Sequence, residues 1–214
     1  MKMVDLVALI IVAQFGAFAT AAARDSLPID TEIQTRLLEM GKSDQGVRAK
    51  FAPTISSFGM QSDQFKALAK EMEEIDQENY LDLKKIITRY GWPGIDRVGK
   101  NASNAAFLIL QHATLRQQKD LLPIFRAAVA SGQARSADLA MLEDRILIRE
   151  GKKQIYGNSV SSGPDGHARI DPVEDPATID ARRKSVGLPP IEEYLKRMEA
   201  EMGITIDRGA LLHE

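Results

Sequence analysis

Beyond residue 30 the apolar positions of this sequence recur at intervals of three and four, the period of helices with one buried face. Ile33, Leu37 and Leu38 form a short stripe between Thr31 and about Lys50, punctuated by Gly41 and Gly46. Residues 52–61, with Pro53 and Gly59, read as a loop. Ser62 is placed to cap the next helix, whose stripe Phe65, Leu68, Ala69, Met72 can run on through Leu83, Ile86, Ile87 and Tyr90. Gly91-Trp92-Pro93-Gly94 stops it, since glycine accepts a left-handed cap and proline cannot continue a helix.

Asn101 can cap a helix from Ala102 to about Ala113 whose centre, Ala105 to Leu110, is apolar all round. Such a helix is buried on every side and becomes the expected centre of the fold. Two amphipathic helices follow, Arg116 to Ser131 and one capped by Ser136 with Leu139, Leu142 and Ile146 inward; Pro123 bends or delays the first. After Gly151 the period changes to two. Gln154 to Gly157 and His167 to Val173 flank the turn-rich Ser161 to Gly166, which predicts a β-hairpin. Helices return over Pro176–Val186 and Ile191–Met202. The expected fold is mainly α: a helical domain around a buried central helix, with a small β-hairpin near residues 152–173. The boundaries expected are an N-terminal extension over 24–61, a helical core over 62–203 and a tail over 204–214.

Residues 1–23 stand apart. Lys2 precedes an apolar stretch from Leu6 to Ala23, which closes on Ala19-Thr20-Ala21 and Ala21-Ala22-Ala23. Both triplets satisfy the small-x-small rule of signal-peptidase cleavage, so a periplasmic or secreted location is expected. Asp5 is foreign to that pattern, and the stretch is long enough to span a bilayer. An uncleaved anchor over residues 6–23 and a buried core helix therefore stay open as alternatives.

Composition narrows the chemistry. A net charge of −2, with 27% charged residues, removes a strongly basic nucleic-acid binder. Cysteine is absent, which excludes disulfides, thiolate metal sites and thiol nucleophiles. With three histidines, His112, His167 and His213, no multi-histidine metal site is expected, and neither metal nor cofactor is assigned.

Several polar residues sit where apolar ones belong. His112 lies one turn beyond Leu108 in the apolar helix, where an imidazole needs a hydrogen-bond partner; Gln111 beside it occupies another covered face. Asp144 and Arg145 are adjacent and must serve different partners. Arg145 approaches a buried stripe, so it calls for a bound anion or a salt bridge to Glu74, Asp76 or Asp96. Gln154 and Tyr156 share one face of the expected strand. Asp76 and Asn79 stack on one helix face, and Trp92, the single tryptophan, reads as a packing anchor.

Taken in order, these residues resemble a widespread bacterial family described as a domain of unknown function. Its pattern matches Asp76 and Asn79, Gly91-Trp92-Pro93, Val98-Gly99, Gln111-His112-Ala113, Asp144-Arg145 and Gly151 through Gln154-Ile155-Tyr156-Gly157. Asp180-Ala181-Arg182-Arg183, Gly187-Leu188-Pro189 and Tyr194-Leu195 continue it. Asn158 stands where the family usually has threonine. The resemblance implies a shared polar site and brings no activity.

Two functions follow as expectations. One is an envelope protein, structural or binding a protein partner, whose polar residues tie helices to the hairpin. The other is a metal-free enzyme or small-molecule binder. In it His112 would act as general acid or base, Asp144 would fix its tautomer and Arg145 would bind an anion. Tyr156, Gln154, Gln111, Asp76 and Asn79 would line the site. A nucleic-acid partner is not expected, and a membrane only if the N-terminal segment is kept.

Overall fold

The computed structural model describes residues 30–162 and 167–211. The signal-peptide expectation, and most of the turn expected over 161–166, fall outside them. Among the described residues no helix is long and apolar enough to cross a membrane. The protein is mainly helical with a small three-stranded sheet, and it divides between Ala134 and Arg135 into two compact units.

Among the described residues, the regular elements of the first unit are all helices. Helix α1 (Thr31–Arg48) is capped by Asp30, whose carboxylate accepts the Ile33 N–H at 3.2 Å. It runs unbroken through Gly41 and Gly46, where the sequence suggested interruption. Gly41 is there for proximity: a Cβ on it would lie 2.8 Å from the Ala105 Cβ, so two backbones cross where neither has room for a larger side chain. The region expected as an N-terminal extension thus lays α1 along the central helix. Residues 51–58 form α2 (Phe51–Phe58) rather than a loop. Pro53 lies in its first turn, where the N–H that proline lacks would have no helical partner anyway.

Ser62 caps α3 (Asp63–Tyr90), accepting the Phe65 N–H at 3.1 Å, and Gly91 ends it at φ +76°. The central helix α4 (Ile95–His112) joins two helical segments at Gly99: the second is the helix expected from about Asn101, and Gln133 supplies an N-terminal partner to the short first one. The Asp96 N–H bonds Gln133 Oε1 at 3.1 Å, and the Ile95 N–H bonds the Gln133 carbonyl at 3.0 Å. Gly99 kinks it at φ +79°, and Gln34 Nε2 donates to the Val98 carbonyl at 2.9 Å beside the kink. From Ala105 to Ala113 every residue is buried, as its all-round apolar pattern requires. Thr114 and Gln117 form a capping box at the head of α5 (Leu115–Ala130), which holds Pro123 in its interior. Trp92 packs on Phe125 at 4.5 Å and Phe125 stacks on Phe107 at 5.7 Å, joining the Gly-Trp-Pro corner to α4 and α5.

The second unit opens with α6 (Ser136–Arg149). Its N-cap is Arg135, one residue before the expected Ser136, and Asp138 holds the Arg135 guanidinium at 2.9 and 2.5 Å. Strands β1 (Val160–Ser162) and β2 (Ala168–Ile170) pair antiparallel, with Val160 opposite Ile170. The first arm of the hairpin is therefore β1, not Gln154–Gly157, which makes only a single bridge from Gln154 to Val173. The expected tail joins the sheet as β3 (Ile206–Asp207), parallel to β2. A 3-10 turn (Pro176–Thr178), α7 (Ile179–Ser185) and α8 (Ile191–Met202) complete the unit. Val160, Ile170, Val173, Ile179, Ile191, Leu195 and Ile206 form its apolar core.

The two glycines of α1 predict opposite outcomes. Gly46 is exposed with open space around it, so Gly46→Ala is expected to stabilise by about 0.5–1 kcal/mol through helix propensity. Gly41→Ala gains the same propensity but collides with Ala105, at a cost of about 1–3 kcal/mol, so its melting temperature should fall below that of Gly46→Ala. Thermal melts of both variants check this.

In the second unit, Arg208 grips the Glu199 carboxylate at 2.9 Å through each of two nitrogens, and the Ile206 N–H adds a third bond at 2.8 Å. The Arg208 hydrogen bonds, then that backbone bond, pull the Glu199 carboxyl from its ordinary 4.5 down to about 2. A depressed carboxyl contributes stability that is complete above its unfolded value and lost as pH falls through the folded one. Wild type should thus lose more stability than Glu199→Gln between about pH 4.5 and 2, measured by denaturation at each pH.

Candidate functional site

In α1 the buried positions run Ile33, Leu37, Met40, Asp44, Val47 and Arg48, so a carboxylate and a guanidinium continue an apolar stripe. Burial obliges both to find partners. Arg48 Nη1 donates to Asp44 Oδ1 one turn back at 2.8 Å, and Nη2 donates to both oxygens of Asp76 on α3, each at 2.8 Å. Asp44 Oδ1 also meets His112 Nδ1, at the end of α4, at 2.8 Å. His112 is 8% exposed and Asp44 1%. Four charged or titratable side chains from three helices thus form one buried chain, Asp76–Arg48–Asp44–His112.

Asn79 extends it one turn along α3, donating to the Met40 carbonyl and to Ser43 Oγ, each at 3.3 Å. The C-terminal carbonyls of α4 are met by the buried Gln118, whose Nε2 donates to the Gln111 carbonyl at 2.8 Å. Gln111 itself is buried, and its Oε1 has no hydrogen-bond partner.

The two carboxylates of the chain differ. Burial pushes Asp44 up, but the His112 hydrogen bond and the charges of His112 and Arg48 outweigh it and leave its carboxyl below the ordinary value. For Asp76 burial wins over Arg48, and its carboxyl is raised. With a neutral ring, His112 donates Nδ1–H to Asp44, which leaves Nε2 as the basic nitrogen. Asp44, Asp76 and His112 also offer one ligand atom each within 4.8 Å of one another.

The second polar centre lies in the second unit. Asp144, 0% exposed on α6, accepts the N–H of Ile155 at 2.7 Å, of Tyr156 at 3.0 Å and of Asn158 at 3.0 Å, and Asn158 Nδ2 at 2.9 Å. The backbone of 155–158 is wrapped around a carboxylate, which explains why it is no strand. Gly157 turns within it at φ +74° and packs so tightly that a Cβ would lie 2.9 Å from both Ile179 and Ile191. Gln154, also 0% exposed, donates to the carbonyls of Ser159 and Asp171 and accepts the Ser159 N–H.

Arg183, 0% exposed on α7, donates to the Tyr156 carbonyl at 2.5 Å, the Pro189 carbonyl at 2.6 Å and Asn158 Oδ1 at 3.3 Å. Burial pulls its pKa down, opposed by Tyr194 and Asp144 beside it. Asn158 thereby links a buried anion to a buried cation, its amide N–H on Asp144 and its amide oxygen on Arg183. The Arg183 guanidinium also lies 4.8 Å over the Tyr194 ring, whose buried hydroxyl is pushed up to about 12.

The sequence candidates therefore fall into two groups. Gln111, His112, Asp76 and Asn79 lie in the first unit; Asp144, Arg145, Gln154 and Tyr156 lie in the second. The carboxylate on His112 Nδ1 is Asp44. Asp76 takes its bond from Arg48, whereas Arg145 was the partner considered for it. Sequence reasoning missed Asp44, Arg48, Gln118 and Arg183. Spacing held the signal for two of them: Asp44 is four residues after Met40 on the α1 stripe, and Arg183 is four after Ile179 on the buried face of α7.

Removing Asp144 strands three backbone donors and the Asn158 amide, so Asp144→Ala is expected to cost at least about 3 kcal/mol. Asn158→Ala, which cuts only the link to Arg183 and one bond to Asp144, should cost about 1–3 kcal/mol. Chemical denaturation of both variants measures the difference.

No curated protein matches the chain, and no solved structure matches it. A family model does match, over residues 31–207, which takes in α1 through β3 and every residue of both polar centres. The chain belongs to the Family of unknown function (DUF6624).

Proposed function

We propose that this chain is an exported, non-catalytic helical protein of the cell envelope that acts by binding a protein partner, its buried polar centres serving as framework. The observation that carries this reading is how the polar side chains are spent. Asp144 and Gln154 direct their hydrogen bonds to backbone of their own unit, and Asn79 bonds the Met40 carbonyl. Groups so engaged fix a shape rather than await a substrate. On the outside, large apolar side chains stay exposed on the helices, Phe58 the most at 57%, with Met60 close by. Export rests on the Leu6–Ala23 stretch and its small-residue end.

One observation favours a second reading, a small-molecule site around His112: the Asp44–His112 bond of 2.8 Å is the pairing that orients a general base.

One set of experiments separates the readings. A photo-crosslinker at Phe58, in protein expressed in its own cells, should capture one discrete protein partner. The mature chain, read by mass spectrometry in the extracytoplasmic fraction, should begin at Ala22 or Arg24. His112→Gln should lose partner capture only as far as its melting temperature falls. A His112→Gln protein that melts like wild type yet loses a measurable turnover or small-molecule binding would overturn the framework reading in favour of the second.

A further inference from the structure

Two carboxylates and an imidazole share the interior of the first unit with a single guanidinium. The set differs from an acidic patch on a surface, because the side chains of Asp44 and His112 are 1% and 2% exposed and only Asp76, at 20%, reaches towards solvent. Two carboxylates face one guanidinium, so the cluster is balanced only when the imidazole is protonated or a cation is bound, and an uncompensated buried charge costs several kcal/mol. Arg48 is itself an incomplete partner: its Nε is buried and has no hydrogen-bond acceptor.

We propose that Asp44, Asp76 and His112 form a binding site for one divalent first-row cation of the zinc class. One ligand atom from each lies within 4.8 Å of the other two. The 2.8 Å between His112 Nδ1 and Asp44 Oδ1 is a hydrogen-bond distance; bonds of about 2.0–2.2 Å at tetrahedral angles need about 3.4 Å between ligand atoms, so these two groups part slightly as the ion replaces the proton they share. One imidazole nitrogen with carboxylate oxygens suits zinc or its neighbours, and suits calcium or magnesium poorly. The ion enters from the Asp76 side, the more exposed edge. Arg48 competes for the same oxygens: it yields those of Asp76 and keeps the Asp44 main-chain carbonyl, which its Nη1 already contacts at 3.2 Å. Binding requires Nδ1 to be bare: in a neutral ring its proton moves to Nε2, and in a protonated ring one proton leaves to solvent, so affinity falls with falling pH. The expectation of a metal-free chain came from counting histidines; it could not see Asp44 brought to His112. The site stands whether the chain binds a partner or a small molecule.

The test is calorimetric titration of the chelator-treated full chain with zinc chloride. One equivalent should bind and raise the melting temperature. Asp76→Asn should weaken binding at least about tenfold, the loss that even an outer-shell partner causes, while Arg48→Met should tighten it. X-ray absorption of the zinc-loaded wild-type protein, which needs no variant to fold, should show a single imidazole with oxygen ligands. Absence of binding, equal affinity in wild type, Asp76→Asn and Arg48→Met, or a spectrum with two imidazoles would overturn the proposal. None of these results bears on partner capture through Phe58, so the two proposals can fail separately.

Discussion

Arg48 carries a full charge into the interior of the first unit, where a guanidinium needs acceptors on its nitrogens, and here carboxylates supply them. Asp44, on the same helix, could supply one under any packing. Asp76 cannot: it comes from α3, and both its oxygens lie 2.8 Å from Arg48 Nη2 only in one register of α1 against α3. Asp44 then carries the constraint on to the end of α4 through His112. Apolar faces alone tolerate sliding, because burial is non-directional. A buried ion pair adds little net stability over well-packed apolar side chains. What this chain of contacts provides is a single arrangement of three helices.

The second unit solves a similar problem with less charge. Asp144 has no guanidinium on its oxygens; three backbone N–H groups and the Asn158 amide surround it. Burial still raises its pKa against those donors. Arg183, fully buried, is likewise held by carbonyl oxygens, and Asn158 stands between the two charges. Spreading the contacts over a loop gives the loop its shape: Ile155, Tyr156 and Asn158 have no regular ladder to satisfy their N–H groups, so the carboxylate does it. A threonine at position 158 could offer one hydroxyl where the amide offers a separate donor and acceptor, so asparagine suits a position between an anion and a cation.

Much of the fold could be read from the sequence because it depended on period. The all-round apolar run in α4, the Ser62 cap and the glycine stop at 91 are local facts with local consequences. The failures were equally physical. Gly41 and Gly46 look alike in sequence, but one faces Ala105 and the other open space, a difference that exists only after α1 and α4 pack. Residues 154–157 alternate as a strand does, yet a carboxylate on a neighbouring helix claims the N–H groups of Ile155 and Tyr156. Of the first polar centre, His112 stood out because a histidine in an apolar helix is conspicuous. Asp44 did not, because an acidic residue in a charged helix reads as solvated until the stripe is followed past Met40. Pairings across helices, such as Arg48 with Asp76, have no signature in spacing at all.

The first polar centre also depends on an apolar detail. Gly41 lets α1 approach α4 until an added methyl would meet Ala105 at 2.8 Å. Asp44 follows one turn later on the same helix, and only at that close approach can a side chain as short as aspartate reach His112. A hydrogen bond of 2.8 Å is lost once the groups separate beyond about 3.5 Å, so a few tenths of an ångström at the crossing weaken it and a full ångström removes it. The order of cause runs from a glycine, to a close helix crossing, to a carboxylate on an imidazole. The residue that first permits the Asp44–His112 contact has no side chain.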